Sequence, residues 1–358
     1  MNTQSNKLDF TGQNIYAGFD VHIKQWTVSI MTDYLTHKTF SQPPKPEILF
    51  QYLQKNFPGG NYYSAYEAGF CGYWIHNQLL EMGINSIVVN PADVPTTGKE
   101  RDQKNDPVDS RKLARSLKNG ELKGIHVPTL KILEDRTLVR TRATLVKDIT
   151  RNKNRIKSFL HFHGIELPEQ FLKNKSHWSK RFMDWLDTIE MSEKSGKDSL
   201  VIIVTIVKNL RFILLETNRK IKTLSCTEAY KKNVELLRSV PGIGLITSMM
   251  LLTELGSIER FGNTDQLCRF VGFVPSMHQS GDNDKSGDLT KRGHSVLRGA
   301  LIESSWIAAR MDPALMKSYC EYCQRMEPNE AITRIAKKLL KRISYVLKNQ
   351  KPYELKIV

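Results

Sequence analysis

Between Asn14 and about Asn119 the chain alternates short apolar runs with amphipathic stretches, and the order of that alternation restricts the fold more than any single motif. Ile15 to Asp20, Trp26 to Thr32 and His37 to Phe40 read as three successive strands. Glu47 to Phe57 has helical spacing, and Tyr62 to Tyr66 reads as a fourth strand. Cys71 to Met82 follows as a helix, Asn85 to Val89 as a buried strand, and Pro107 to Lys118 as a helix that stops at Gly120. The order predicts an α/β unit over residues 1–126.

Three strands, helix, strand, helix, strand, helix is the order of a ribonuclease H-like (RuvC-like) core. Four acids fall where such a core gathers metal ligands: Asp20 and Glu67 each close an apolar run, and Asp106 and Asp109 open a helix. Two Mg²⁺ ions roughly 3.5 to 4 Å apart stabilise the attacking and leaving oxygens of phosphoryl transfer, and hard cations of this kind take carboxylate oxygens. Asp106 and Asp109, three apart, share one helix face. Each acid also has an ordinary explanation. Asp106 before Pro107 has the form of a helix N-cap, Asp109 would sit in the same first turn, and Asp20 and Glu67 suit solvated strand ends.

Residues 127–226 carry apolar positions at heptad-like spacing. One run passes through Ile132, Leu138, Val139, Leu145, Ile149, Ile156 and Leu160, and a second through Leu200, Ile203, Val207, Leu210, Leu214 and Ile221. Two long helices forming an antiparallel coiled-coil arm are expected, serving either subunit association or packing on their own domain. Asn152 and Lys153 interrupt the first run.

Residues 227–358 read as all-α at both ends with a Gly-rich polar middle. Val240-Pro241-Gly242-Ile243-Gly244 between apolar helices resembles a helix-hairpin-helix turn, in which Gly242 and Gly244 would let backbone N–H groups approach a phosphate; a ligand-free tight turn has the same composition. Further on, a serine beside a flexible glycine and near cations can attack a phosphodiester, and Ser276, Ser280 and Ser286 all qualify by composition. Lys291, Arg292 and Arg298 are candidate phosphate contacts or a solvated basic face. His294 fits a packed helix-start residue or a proton carrier.

Lys and Arg outnumber Asp and Glu by 53 to 37, a net charge of +16, which points to a polyanionic partner and, without a basic amphipathic helix, to nucleic acid over a membrane. Met1 to Phe10 lacks the apolar core of a signal peptide, and Leu200 to Val207 is too short to span a bilayer, so a cytoplasmic location is expected. Five cysteines make no disulfide framework, and Cys320-x-x-Cys323 has no second pair at zinc-ribbon spacing.

Gly18-Phe19-Asp20-Val21-His22, Tyr66-Glu67-Ala68, Lys104 to Ala114, Pro241 to Gly244, Gln279-Ser280-Gly281 and Thr290 to Gly293 together resemble the IS110/IS1111 transposases, a group that includes the Piv-type DNA invertases. The resemblance covers most of the chain. It implies that Asp20, Glu67, Asp106 and Asp109 are a DEDD set for Mg²⁺ or Mn²⁺ and that Ser280 is the nucleophile of a C-terminal transposase domain. It further implies DNA partners at element ends and target, a structured noncoding bridge RNA as guide, and a homo-oligomer, dimer or tetramer, in which the metal domain of one subunit meets the serine domain of another. The location implied is prokaryotic and nucleoid-associated. Two other functions use the same residues differently. A metal-only junction resolvase would need no serine, and a noncatalytic nucleic-acid-binding protein would need neither serine nor metal.

Overall fold

The computed structural model of the chain describes residues 9–102, 105–172, 177–280, 283–290 and 292–355, with the side chains at 99, 101, 276–280 and 283–288 outside that description. The chain divides into two compact units, Met1–Val127 and Pro128–Val358.

The first unit is built on a five-stranded sheet. β1 (Asn14–Val21), β2 (Trp26–Thr32) and β3 (Thr36–Gln42) form an antiparallel meander. After α1 (Pro46–Asn56), β4 (Asn61–Glu67) pairs parallel to β1; after α2 (Trp74–Glu81), β5 (Asn85–Val89) pairs parallel to β4. The resulting order, β3-β2-β1-β4-β5, is compatible with the ribonuclease H-like core expected from the sequence. α2 begins three residues later than its apolar pattern suggests, because the turn before it uses Gly72 at positive φ. α3 (Gly98–Asp102) and α4 (Asp106–Lys118) complete the unit.

Alternation along β1 assigns its two faces. Ile15, Ala17 and Phe19 enter an apolar core with Trp26, Leu49, Leu53, Tyr66 and Leu79, where the Phe19 ring stacks on both Trp26 and Tyr66. The opposite face presents Gly18 to the backbone of α4 at Ser110 and Ala114. Ser29, opposite Gly18 in the sheet register, shares a 2.9 Å hydrogen bond with Ser110, so small residues line the seam where α4 crosses β1 and β2.

In the second unit, α5 (Leu130–Phe162) and α7 (Lys194–Ser225) are long helices flanking the short α6 (Lys180–Thr188). Ile156 and Leu160 of α5 share an apolar cluster with Leu200, Val204 and Val207 of α7, while at the other end Arg142 Nε donates to Asn218 Oδ1 at 2.8 Å. The early part of one helix therefore meets the late part of the other, and the pair is antiparallel. Asn152 is buried in α5 and donates to the Asp148 carbonyl, which explains how a polar residue is accommodated within the heptad pattern.

The rest of the unit comprises α8 (Lys231–Arg238), α9 (Leu245–Leu255), α10 (Thr264–Val271), the strands β6 (Pro275–Ser280) and β7 (Asn283–Leu289), and then α11 (Ser295–Met311), α12 (Pro313–Cys323) and α13 (Pro328–Asn349). Val139 of α5 and Ile221 of α7 belong to the same apolar core as these helices, so the boundary expected at 226/227 lies within one compact unit. The expected Gly-rich polar middle contains a two-stranded antiparallel hairpin. The five cysteines are free thiols, with Cys320 and Cys323 exposed on α12. Among the described residues, no helix is long and apolar enough to cross a membrane.

Candidate metal centre

Asp20 and Glu67 stand at the ends of adjacent parallel strands. Gly18 pairs with Ala65 in the register of β1 and β4, so Asp20 and Glu67, each two residues further on, lie on the same face of the sheet. α4 crosses that face, and its first turn carries Asp106 and Asp109.

The cap of α4 corrects the sequence reading. Asn105, with extended backbone, accepts a 3.0 Å hydrogen bond from the Val108 amide through Oδ1, and Asp106 is the first helical residue. The expectation that Asp106 caps the helix assumed Pro107 at the first helical position, whereas Pro107 occupies the second. Asp106 is thereby released from capping.

Two further residues, to which the sequence reading gave no role, organise the four acids. His22 Nε2 lies 3.2 Å from Asp20 Oδ2 and 3.4 Å from Asp106 Oδ2. Lys112 Nζ lies 3.0 Å from Asp109 Oδ1 and 3.5 Å from Glu67 Oε1, with only 7% of the residue exposed. His22 follows Asp20 by two positions and Lys112 follows Asp109 by three, spacings that hinted at a shared face without revealing the partner across the gap.

Electrostatics separate the two pairs. Burial raises the Asp20 carboxyl above its ordinary range, and Asp106 and Asp109 push it further while His22 opposes them. Burial works against the Lys112 charge, but Asp109 and Glu67 outweigh it and raise its proton affinity.

Asp20, His22 and Asp106 each offer a ligand atom, all within 4.8 Å of one another. The two carboxylates suit a hard cation such as Mg²⁺ or Mn²⁺, and an imidazole ligand favours a transition metal such as Mn²⁺ over Mg²⁺. A divalent cation would relieve the part of the Asp20 shift that comes from Asp106 and Asp109. The residues therefore fit the metal that a DEDD set implies. Beside them, a cavity of about 560 Å³ is lined by His22, Ile23, Lys24, Gln25, Phe70 and Asp106. Ile23 and Phe70 are largely exposed at its rim.

In the second unit, Ser280 is the last residue of β6 and pairs with Asn283. The side chains of Ser276, Ser280 and Ser286, and residues Gly281 and Lys291, fall outside the described residues. The surroundings of the hairpin are defined. Thr290 N donates to Val274 O and His294 N to Phe270 O. Arg298, a candidate phosphate contact, donates through Nη1 to the carbonyls of Thr290 (3.0 Å) and Gly272 (3.3 Å), while Arg292 is exposed.

His294 caps α11. Its Nδ1 accepts from the Leu297 amide, which leaves the ring proton on Nε2, 3.0 Å from Glu254 Oε2. Arg140 also donates to Glu254, at 2.6 and 2.8 Å, and Arg136 lies 3.4 Å away. Burial opposes charge on Glu254, yet His294 and Arg140 hold its carboxyl at about 2. This network was invisible in the sequence, because His294 lies 40 residues from Glu254 and Arg140 lies 114 from it.

Gly242 has φ of 82° and lies against α11, whereas Gly244 is exposed at the N-cap of α9.

A mixed sheet with two acids at its strand ends and two more in the first turn of the helix that crosses it defines a candidate metal-dependent phosphoryl-transfer unit, here followed by a helical unit with a serine-bearing hairpin. Comparison with known proteins agrees with both halves. A DEDD transposase model of the IS110 type matches residues 17–164, and the model described as the transposase IS116/IS110/IS902 family matches residues 234–321. The chain belongs to the IS110 family of transposases. It is 29% identical over 244 residues to the transposase candidate y4qE of Sinorhizobium fredii, covering 68% of this chain and 58% of that one. The transposase for insertion sequence element IS1533 of Leptospira borgpetersenii is 26% identical over 305 residues, covering 82% of this chain and 85% of its own. The pilin gene-inverting protein of Moraxella bovis is 31% identical over 142 residues, 37% of this chain and 42% of that protein.

Proposed function

We propose that this chain is a DNA transposase that cuts and rejoins the ends of an insertion element through a serine nucleophile assisted by a divalent metal. The observation that carries the reading is the placement of Asp20, Glu67, Asp106 and Asp109 at two strand ends and one helix start on a single face of the sheet. When bound there, Mg²⁺ or Mn²⁺ would supply charge neutralisation at the scissile phosphate. Asp20 and Asp106, with His22 beside them, are the residues to hold it.

Ser280 Oγ forms a bond to phosphorus as the bond from phosphorus to one sugar oxygen breaks, and the hydroxyl proton ends on the released sugar hydroxyl. The phosphoserine ester keeps the bond energy, so a hydroxyl from another strand reverses the step without ATP. Arg298 and His294 hold the base of the hairpin that carries Ser280. Lys291 and Arg292, with the exposed turn at Gly244, are proposed to meet phosphates. The net charge of +16 suits DNA and a structured guide RNA.

The α5–α7 pair is proposed as a coiled-coil arm that associates subunits. Val201, Ile202, Phe212, Ile213 and Leu215 of α7 are exposed, an apolar surface of the kind that a second copy would cover. The inversion activity named for the Moraxella relative extends the proposal to rejoining as well as cutting.

The test is a denaturing gel of the chain with its element-end DNA, guide RNA and Mg²⁺. A protein–DNA adduct that disappears in Ser280→Ala, with DNA binding retained, is the expected result. Hydrolysed 5′-phosphate ends without an adduct would instead identify a metal-only resolvase, and DNA binding indifferent to metal and to all four acids would identify a noncatalytic binder.

A further inference from the structure

We propose that Lys112 is a built-in cation that takes one of the two places a pair of metal ions would occupy, so that the DEDD set loads a single divalent ion, at Asp20 and Asp106. This rests on the metal reading above. The four acids are divided in the structure. Asp20 and Asp106 face one another across His22 Nε2, at 3.2 and 3.4 Å, and with His22 they form a group of closely spaced ligand atoms. Glu67 and Asp109 are instead joined by Lys112 Nζ, at 3.5 and 3.0 Å.

Three features make the ammonium a fixed part of the site rather than a surface side chain that happens to lie nearby. Lys112 is 7% exposed, and lysine is almost never buried to that degree without partners. Its backbone is held by α4, whose first turn is capped by Asn105 and whose middle rests on Gly18. It also spans two elements, since Asp109 lies one turn back on the same helix and Glu67 lies on β4. An ion entering between Glu67 and Asp109 would have to expel the ammonium from both, leaving a buried positive charge unpaired. The cost of that exchange favours loading at the other pair.

Lys112 is in this reading a positioning residue. It neutralises part of the carboxylate charge and aims Glu67 and Asp109, while the divalent ion goes where no fixed cation sits.

The experiment counts ions by titrating the full-length chain with Mn²⁺ and following free Mn²⁺ by electron paramagnetic resonance. Wild type is expected to bind one ion tightly. Lys112→Met should bind a second, with affinity at that site raised about tenfold or more by loss of the adjacent charge, and Lys112→Arg should restore the count of one. Circular dichroism of each variant confirms that it is folded, and should Lys112→Met fail to fold, the count in wild type and Lys112→Arg decides. Two ions of similar affinity in wild type, or one in both wild type and folded Lys112→Met, would overturn the role of Lys112 and leave the metal centre standing. No bound Mn²⁺ in any of the proteins would overturn the metal reading itself.

Discussion

A Cβ atom placed on Gly18 would lie 2.1 Å from the amide nitrogen of Ala114, so the backbone of α4 rests directly on β1. Both neighbours in that contact are main chain and cannot rotate away. Two residues beyond Gly18 is Asp20, and one helical turn before Ala114 is Ser110, next to Asp109. The missing side chain is therefore what lets the helix bring its acids down to the strand end. Gly18→Ala is expected to destabilise the first unit by about 1 to 3 kcal/mol through overpacking. It should also lower Mn²⁺ affinity, because α4 must lift. Denaturant titration and Mn²⁺ binding measure the two effects, and native affinity in a destabilised variant would separate α4 packing from the metal centre.

Asp20→Asn should abolish tight Mn²⁺ binding without loss of fold. Burial and the charges of Asp106 and Asp109 raise the Asp20 carboxyl, so in the metal-free protein its ionised form opposes folding. The sign follows directly. A carboxyl raised in the folded state contributes stability below its unfolded value of about 3.8, and that contribution is lost as pH rises through the folded value. At neutral pH the metal-free asparagine variant should melt at or above the temperature of metal-free wild type. A clear drop in melting temperature would mean that the Asp20 charge is structurally required.

Glu254 has the opposite dependence. Its carboxyl is held at about 2 against an ordinary 4.5, so its stabilising contribution is complete above 4.5 and is lost as pH falls toward 2. The second unit should lose denaturant resistance over that window. Glu254→Gln should remove this acid-sensitive component and, by leaving the half-buried Arg136 and His294 without their charged partner, cost on the order of 3 kcal/mol at pH 7. Unfolding midpoints at pH 7, 4 and 3 for both proteins provide the comparison. An unchanged pH profile in the variant would assign the acid response to other groups.

The strand and helix order of the first unit was legible because each element has one buried face, and periodicity reports burial. Asp20 and Glu67 were legible for the related reason that each terminates an apolar strand, and Asp106 with Asp109 because three residues span one helical turn. The roles of His22 and Lys112 were not, since they depend on the distance between elements, which Gly18 sets and periodicity does not record. The cap was misread by one residue because Asn and Asp cap equally well, and proline is tolerated at both of the first two helical positions. The 275–289 hairpin escaped detection because Ser, Gly, Asp and Asn dominate it, residues with low strand preference and no apolar alternation.

The two glycines of the Pro241–Gly244 turn resemble one another in sequence and differ in the structure. Gly242 combines a φ of 82° with an approach so close that a Cβ would sit 2.3 Å from the Ser304 carbonyl oxygen of α11. Gly244 has a φ of −92° and no described atom within 4 Å of its Cβ position. Gly242→Ala should therefore cost about 2 kcal/mol or more from combined backbone strain and overpacking, whereas Gly244→Ala should change stability by less than about 0.5 kcal/mol. If the turn meets a phosphate through backbone N–H groups, Gly244→Ala, which keeps the amide and adds only a methyl group at the approach surface, should weaken DNA binding without altering the unfolding midpoint. Equal DNA affinity in wild type and Gly244→Ala would show that the turn serves packing against α11 alone.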